Sequence, residues 1–211
     1  MWVEVILMDK VSFSFKNGQK ILDNFSFTVK KGEFCYIKGP NGSGKSTLLK
    51  ILCGLIPLKE GKVNILGVSP HKSPEVLRKV GIVIDGMGLY KELSLRDNIL
   101  FFSREKGLFE NEIKNEIDKY DKIWNIDFDS KYKNSSHGMR KIAKLTLSLV
   151  NNPEILIWDE PELALDKERI KILINLLEKH KNNGGTCVLA GTNPEFFGQL
   201  VDKVVEKEVI I

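Results

Sequence analysis

The sequence predicts an α/β fold built on a mixed sheet, with an antiparallel β-rich part at the N-terminus and a helical insertion later in the chain. Three observations predict it. Short β-prone segments separated by polar turns open the chain, strand-like and helix-like segments alternate after a glycine-rich loop, and residues 93–149 contain no buried-strand signal. Turn-separated β-prone segments favour antiparallel pairing, whereas alternation of strands with helices is typical of a parallel sheet.

The N-terminal segments predict an antiparallel sheet ahead of the glycine-rich loop. Apolar and aromatic residues are concentrated at residues 3–7, 11–15 and 25–29, and the polar turn Lys16-Asn17-Gly18 separates the last two. We expect these to be short, distinct strands joined by turns.

The rest of the chain predicts a parallel core with an inserted subdomain. Amphipathic runs at residues 95–102, 110–124 and 139–150 predict helices. We therefore expect one domain over residues 1–211, with a core of residues 1–92 and 150–211 and a helical subdomain of residues 93–149. The strand-like segments expected in the parallel sheet are residues 34–37, 63–66, 81–84, 154–158 and 186–190.

Composition excludes several classes of protein. The chain has 211 residues, 42% of them hydrophobic, and 32 basic residues interleaved with 28 acidic ones give a net charge of +4. This mild charge gives no case for a nucleic-acid partner, and no apolar stretch reaches the roughly 18 residues of a membrane-spanning helix. The start of the chain, residues 1–5, lacks a basic segment followed by an apolar one, so we expect a cytoplasmic protein. Its three cysteines, Cys35, Cys53 and Cys187, are expected to be buried free thiols.

A glycine-rich loop between a strand and a helix predicts a nucleoside triphosphate site. Its glycines allow successive amide N–H groups to face the phosphates, and the helix that follows places its positive end behind them. Lys45 is expected to reach the β- and γ-phosphates, Ser46 to bind Mg2+, and Thr47 to approach the α-phosphate. The complete Gly-x-x-x-x-Gly-Lys-Ser loop with its following residue consists of Gly39, Pro40, Asn41, Gly42, Ser43, Gly44, Lys45, Ser46 and Thr47.

A pair of carboxylates at the end of a later apolar strand supplies the second half of the site. Residues 155–161 read Ile-Leu-Ile-Trp-Asp-Glu-Pro. We expect Asp159 to hold Mg2+, mostly through water, and Glu160 to polarise the attacking water. The competing interpretation is a solvent-facing acidic turn before Pro161. Together the two motifs predict an ATPase or a GTPase, and the absence of an Asn-Lys-x-Asp guanine-recognition motif favours ATP.

These motifs, in this order, resemble those of the ATP-binding-cassette (ABC) ATPases over essentially the whole chain. Phe15 stands where that family stacks an aromatic ring on adenine, with an aromatic core residue as the alternative. Residues 81–85 with 93–100 resemble the Q-loop and the start of the helical subdomain. Residues 136–140 (Ser-His-Gly-Met-Arg) resemble the signature sequence, and residues 163–166 (Leu-Ala-Leu-Asp) resemble the D-loop. The resemblance implies a P-loop NTPase core with a β subdomain and a helical subdomain.

The resemblance also implies how the protein works. Two such chains, as a homodimer or a heterodimer, close head to tail with ATP and Mg2+ between them. Ser136, Gly138 and Asp166 then act in trans, on the nucleotide held by the other chain. An integral membrane transporter subunit is implied as the partner, which places this chain at the inner face of the cell membrane. The form of the signature resembles that of ATPases from bacterial export systems.

Two positions around the γ-phosphate depart from the family. Asp85 stands where the Q-loop glutamine is expected, and Thr192 stands where a histidine is expected. Both join Lys45 and Glu160 as predicted catalytic residues, and Asp85 can also bind Mg2+. Aspartate cannot donate a hydrogen bond, however, and threonine has less reach than histidine. We therefore expect ATP binding with slow hydrolysis, the competing hypothesis being that both residues are working substitutes.

The sequence leaves alternatives open for the role of Ser136 and for the class of ATPase. Ser136 could serve simply as a helix N-cap. The alternatives to a transporter subunit are a soluble ABC ATPase of cofactor assembly or regulation, and a module in which ATP occupancy alone is the signal. The basic residues near the signature are interpreted as a solvated helix face; they are Lys131, Lys133, Arg140, Lys141 and Lys144.

Overall fold

Residues 4–30 form a β-hairpin. In the computed structural model, which describes residues 3–104 and 107–210, strand β1 (Glu4–Ser14) pairs antiparallel with strand β2 (Lys20–Lys30). Residues 4–7 and 11–14 of the two predicted segments belong to this one strand, so the expectation of two short strands was wrong. Lys10, at φ 48, and a register shift between Met8 and Val11 mark an irregularity that the strand absorbs without ending. Residues 1 and 2, part of the start used above to argue against a leader, lie outside the described residues.

Among the described residues, six further strands complete two sheets. They are β3 (Phe34–Lys38), β4 (Glu60–Ile65), β5 (Val80–Val83), β6 (Ile155–Asp159), β7 (Thr186–Gly191) and β8 (Lys203–Glu206). Strands β5-β6-β7-β3-β8 form a sheet in which every neighbouring pair is parallel, and β2-β1-β4 form an antiparallel sheet. In the parallel sheet the carboxyl ends of β3, β5, β6 and β7 meet at one edge, which is where such sheets bind ligands.

Segment 63–66 does not join the parallel sheet, and that prediction was wrong. Strand β4 pairs antiparallel with β1, with Val63 opposite Met8 and Ile65 opposite Ile6. Val63 and Ile65 are buried while Asn64 between them is only partly buried, an alternation expected where one face of an antiparallel sheet is solvated. The error has a physical cause, because β-propensity identifies a strand without specifying its partner.

In the described part of the chain, five α-helices accompany the strands. They are α1 (Lys45–Leu52), α2 (Leu95–Arg104), α3 (Glu110–Trp124), α4 (His137–Leu149) and α5 (Lys167–Asn182). Helices α2, α3 and α4 match the three amphipathic runs predicted between residues 93 and 149. Helix α4 begins two residues earlier than predicted because Ser136 caps it, its Oγ accepting the Met139 N–H at 3.2 Å. Within the described residues, no helix combines the length and apolar content needed to cross a membrane.

Both faces of the parallel sheet are covered. On one face, residues such as Ile37 and Val188 pack with α1 and the antiparallel sheet. On the other face, Tyr36, Trp158 and Leu189 pack with helices α2 to α5. Burial on both sides suits the near-continuous apolar sequences of these strands.

The three cysteines are free and buried, as predicted. Burial raises the pKa of the Cys35 and Cys53 thiols to about 12. Thiols that stay protonated at neutral pH are poor nucleophiles, so these residues contribute to packing rather than to chemistry.

Candidate active site

The phosphate loop joins β3 to α1 at the carboxyl edge of the parallel sheet. Gly42 and Gly44 have φ of 82 and 94, in the left-handed region that glycine adopts without strain. Gly39 is required for a different reason, since a Cβ there would collide with the backbone carbonyl of Lys207. Helix α1 begins at Lys45, so its unpaired N–H groups and the positive end of its dipole lie at the loop. This arrangement can hold an anion such as a phosphate chain.

Lys45 is held across the loop. Its side chain is only 5% exposed, and its ammonium donates hydrogen bonds to the carbonyl oxygens of Gly39 at 2.9 Å and Pro40 at 3.1 Å. The Oγ of Ser43 is buried and has no hydrogen-bond partner within the described residues. Ser46 and Thr47 occupy the first turn of α1 and are half-buried, whereas Asn41 is exposed. The loop therefore presents polar groups whose bonding capacity the protein does not fully use.

Strand β6 places two carboxylates beside this loop. Asp159 is the last residue of the strand and is 5% exposed, which does not fit a solvent-facing acidic turn. Glu160 follows with φ 44, and its N–H donates to the carbonyl oxygen of Ala190 on β7 at 2.8 Å. Its Oε1 lies 3.9 Å from Nζ of Lys45. The structure thus brings the two predicted halves of the site together.

Four predicted residues line one cleft of about 470 Å3, namely Ser46, Asp85, Asp159 and Glu160. Asp85 enters it from the exposed segment after β5. Within the described residues, Oδ1 of Asp159 is buried without a hydrogen-bond partner, and no group of three or more His, Cys, Asp or Glu side chains forms a complete metal site. Mg2+ ordinarily takes one or two protein oxygens and completes its shell with water and substrate phosphates. Ser46 and Asp159 fit that requirement.

The residues predicted to act in trans lie on the surface. Ser136 is exposed at the N-terminus of α4, and Gly138 faces the D-loop so closely that a Cβ would lie 2.8 Å from the carbonyl oxygen of Ala164. Asp166 is exposed and caps α5, accepting the Arg169 N–H at 2.9 Å, and this bond is the main cause of its lowered pKa. Both Ser136 and Asp166 are N-caps that remain exposed, so capping does not conflict with a role toward a second chain.

Two predicted residues, Thr192 and Phe15, are not among the residues that line the cleft. Thr192 is the exposed residue after β7 and does not belong to the set that lines the cleft with Ser46 and Glu160. Phe15 follows β1 and is 41% exposed, with its ring centroid 5.2 Å from that of Phe13 in an edge-to-face pair. This exposure does not fit a core residue and leaves part of the Phe15 ring available to a base.

The cleft also contains lysines that the sequence interpretation assigned to solvent. Lys141 donates to the carbonyl oxygens of Glu160 at 2.7 Å and Asp159 at 3.4 Å, and Lys144 lines the same cleft. Burial lowers the pKa of both lysines, with Asp159 opposing the shift at Lys141 and Asp85 opposing it at Lys144. The interpretation as a solvated helix face was therefore wrong for Lys141 and Lys144. Their spacing of three along one helix, which puts them on one side, was the available signal.

Glu162 is a further residue of the site that sequence reasoning missed. One of its carboxylate oxygens is buried without a hydrogen-bond partner in the described part of the chain. Burial and the nearby Glu160 raise the pKa of the Glu162 carboxyl. A third acid two residues after Glu160 is visible in the sequence, but its burial depends on how the D-loop folds back.

The parallel sheet, the phosphate loop and the paired carboxylates define a P-loop nucleoside triphosphatase. The chain belongs to the ABC transporter family, whose family model matches residues 22–162, and it is an ABC-type ATPase. The predicted family and fold are thus confirmed.

Individual relatives agree with this assignment. The chain is 33% identical over 194 residues to the lantibiotic transport ATP-binding protein SrtF of Streptococcus pyogenes, covering 90% of this chain and 83% of SrtF. It is 34% identical over 192 residues to the spermidine/putrescine import ATP-binding protein PotA of Bacteroides fragilis. The match covers 89% of this chain and 42% of PotA. Its fold matches a dimeric, post-hydrolysis structure of the ATP-binding cassette MJ0796 bound to ADP and Pi, with a TM-score of 0.85 and 26% sequence identity. The match covers 98% of this chain and 97% of the MJ0796 chain.

Proposed function

We propose that this chain is the ATP-binding and ATP-hydrolysing subunit of a membrane transporter whose membrane-spanning part is a separate polypeptide. The observation that carries the proposal is the single cleft in which Ser46, Asp159 and Glu160 meet beside the phosphate loop. Relatives named as transport ATP-binding proteins support the link to transport. On this proposal the chain works in the cytoplasm, at the inner face of the membrane.

Each part of the cleft has a chemical task in hydrolysis. The loop amides and the Lys45 ammonium hold the phosphates, and Ser46 and Asp159 hold Mg2+. Mg2+, when bound, neutralises charge on the phosphate oxygens. Glu160 accepts a proton from the water that attacks the γ-phosphorus. Its position near Lys45 keeps the base beside the phosphate that reacts.

The proposal includes a head-to-tail dimer in which two chains share each ATP. The exposed N-terminus of α4, with Ser136 and the Gly138 amide, would contact the γ-phosphate bound by a second chain. A serine hydroxyl and a helix N-terminus both complement phosphate charge. Exposed Asp166 lies at the start of α5 and would face the same interface. The dimeric state of the solved cassette supports this arrangement.

An apolar groove is the proposed binding site for the membrane subunit. It has a volume of about 460 Å3 and is lined in part by Leu77, Ile82, Phe102 and Leu147. Beside it, the rings of Tyr90 and Phe102 stack with centroids 5.6 Å apart, and Phe101 is 43% exposed. Exposed aromatic clusters are enriched where proteins bind one another. The groove borders the Asp85 segment, so a partner seated there would lie close to the cleft.

Asp85 and Thr192 favour a second candidate function, a regulatory module that signals by ATP occupancy. Asp85 cannot donate a hydrogen bond to the γ-phosphate, and Thr192 stands outside the residues lining the cleft. Loss of one such contact commonly costs roughly 10- to 1000-fold in turnover. ATP binding and dimer closure would then persist although hydrolysis is slow.

Phosphate release by the purified chain, compared with that by Glu160→Gln, tests the enzymatic proposal. We expect slow release from the native chain, a much slower residual release from the variant, and an ATP-dependent dimer of the variant in size-exclusion chromatography with light scattering. Release that is unchanged in Glu160→Gln would refute the role of Glu160.

Co-purification from native membranes tests the partner. An integral membrane protein should accompany the chain, and Phe101→Ser should lose it while leaving ATP binding intact. A chain that brings down no membrane protein would favour a soluble or regulatory ABC protein.

A further inference from the structure

We propose that Lys141 is a positioning residue for Glu160, acting through the backbone carbonyl of that glutamate. The inference rests on the proposed role of Glu160 as the base in ATP hydrolysis. It concerns a residue of α4 in the same chain, distinct from the signature residues at the start of that helix. Three observations carry it: the backbone conformation of Glu160, the hydrogen bonds that hold it, and the charges around Lys141.

Glu160 has a backbone conformation that its sequence does not favour. Its φ of 44 lies in the left-handed region, which is uncommon for a residue with a Cβ. It also precedes Pro161, and a residue before proline is restricted mainly to extended conformations. Such a backbone persists only where the surrounding structure holds it. The direction of the Glu160 side chain depends on that backbone, so contacts that fix the backbone also aim the carboxylate.

Two neighbouring elements hold this residue from opposite sides. Its N–H donates to the carbonyl oxygen of Ala190 on β7 at 2.8 Å. Its carbonyl oxygen accepts from the Lys141 ammonium of α4 at 2.7 Å, and also from the local Leu163 N–H at 3.1 Å. Of the bonds to this carbonyl from described residues, the one from Lys141 ties it to another element of the fold. Because the same ammonium lies 3.4 Å from the carbonyl oxygen of Asp159, it spans the backbone of both carboxylates.

The charge of Lys141 also suits this position. Its ammonium lies among the carboxylates of Asp159, Glu160 and Glu162, all of which favour its charged form. Burial, with smaller contributions from Glu160 and Asp159, raises the pKa of the Glu162 carboxyl. Without Lys141, repulsion among these acids would act directly on the side chain of Glu160.

A purely structural contact would not need a lysine here. Lys141 is largely buried, and burial lowers its pKa, so its charge is held at a cost in solvation. An apolar side chain of similar length could fill the space between α4 and β6 without that cost. The ammonium is explained by its hydrogen bonds to the backbone of Asp159 and Glu160 and by its charge beside their carboxylates.

The test compares Lys141→Met, which keeps the approximate length of the side chain but removes its charge, with Lys141→Arg, which keeps a positively charged hydrogen-bond donor. Lys171→Met is the control, because Lys171 is exposed on α5 and, within residues 3–104 and 107–210, forms an ion pair with the exposed Glu168 alone. We expect Lys141→Met to lower kcat by about 10- to 100-fold while the KM and Kd for ATP stay within about twofold, since a misplaced catalytic group costs turnover rather than ground-state binding. Lys141→Arg should recover part of kcat, and Lys171→Met should match the native chain.

A second background separates positioning from general destabilisation. If Lys141 acts through Glu160, adding Lys141→Met to Glu160→Gln should lower the residual hydrolysis no further, because effects through one group are not additive. Unchanged kcat in Lys141→Met, or an additive loss in the double variant, would overturn the inference while leaving Glu160 as the base. Hydrolysis in Glu160→Gln alone that matches the native rate would overturn the proposed role of Glu160, and this inference with it.

Discussion

The ammonium of Lys45 lies 3.9 Å from Oε1 of Glu160 while it donates to the two carbonyl groups that open the phosphate loop. The two residues follow β3 and β6, which lie on either side of β7 in the parallel sheet. Lys45 and Glu160 therefore lie close together because of the order of the strands in the sheet. It also means that the lysine is already oriented by fixed acceptors, so little side-chain freedom remains to be lost when a phosphate takes their place.

Lys45→Met should weaken ATP binding without unfolding the chain. A hydrogen bond to a charged group contributes about 1.5–3 kcal/mol, so we expect the Kd for ATP to rise roughly 10- to 100-fold. Calorimetric titration with ATP measures this directly. Lys50→Met, in the last turn of the same helix, is the matched control and should bind ATP like the native chain. Equal affinity of the Lys45 and Lys50 variants would contradict the assignment.

Glu162→Gln should stabilise the protein in a pH-dependent way. The pKa of Glu162 is raised above 4.5, so between that value and the raised one the folded chain binds the proton more tightly than the unfolded chain. The stability contributed by this group is therefore present at low pH and is lost as the pH rises through the raised pKa. Glutamine avoids that loss, so the variant should have the higher Tm at about pH 8, with the difference shrinking as the pH falls.

Thermal unfolding followed by circular dichroism across this pH range measures the Glu162 effect. Glu178→Gln, an exposed position on α5, controls for the general effect of removing one negative charge. A Tm difference for Glu162→Gln that is constant with pH, or that matches Glu178→Gln, would show that the buried carboxyl is not its source.

Local sequence predicted the parts of this site that are themselves local. The phosphate loop needs glycine at Gly42 and Gly44 for its backbone, and that requirement is visible in the chain. The apolar strand that ends in Asp159 and Glu160 is equally clear. Because parallel strands deliver their carboxyl ends to one edge, the meeting of the two motifs could be expected before the structure was known.

Features that depend on distant partners could not be predicted in the same way. Val63 lies in a strand, as expected, but only pairing with Met8 decides that the strand joins the antiparallel sheet. Lys141 lies on a helix, as expected, but only the packing of α4 against the end of β6 turns its ammonium toward Glu160. Periodicity identifies helix faces, whereas the neighbour that each face meets is set by tertiary structure.

Gly138→Ala should impair dimer formation more than ATP binding. A Cβ at Gly138 would lie 2.8 Å from the carbonyl oxygen of Ala164, so either the start of α4 or the D-loop must move. Both segments face the proposed partner chain and neither belongs to the phosphate loop, although His137 and Ala164 line the same cleft as Ser46. In the Glu160→Gln background, ATP-dependent dimerisation measured by light scattering should fall. Gly88→Ala, where a Cβ meets open space, should not have this effect, and a dimer of native strength in Gly138→Ala would argue against the interface.

Asp85 and Thr192 provide the last prediction, because they decide between slow hydrolysis and working substitution. Asp85 lines the cleft with Ser46 and Glu160 but offers no donor, and Thr192 is exposed after β7 with a short side chain. Replacing them by glutamine and histidine supplies a donor and a longer reach toward the γ-phosphate. We expect the double variant Asp85→Gln, Thr192→His to raise the turnover of ATP roughly 10-fold or more, since each restored contact acts on charge that develops in the transition state. Steady-state phosphate release, with both single variants alongside, measures the gain. A double variant no faster than the native chain would mean that aspartate and threonine already perform these tasks.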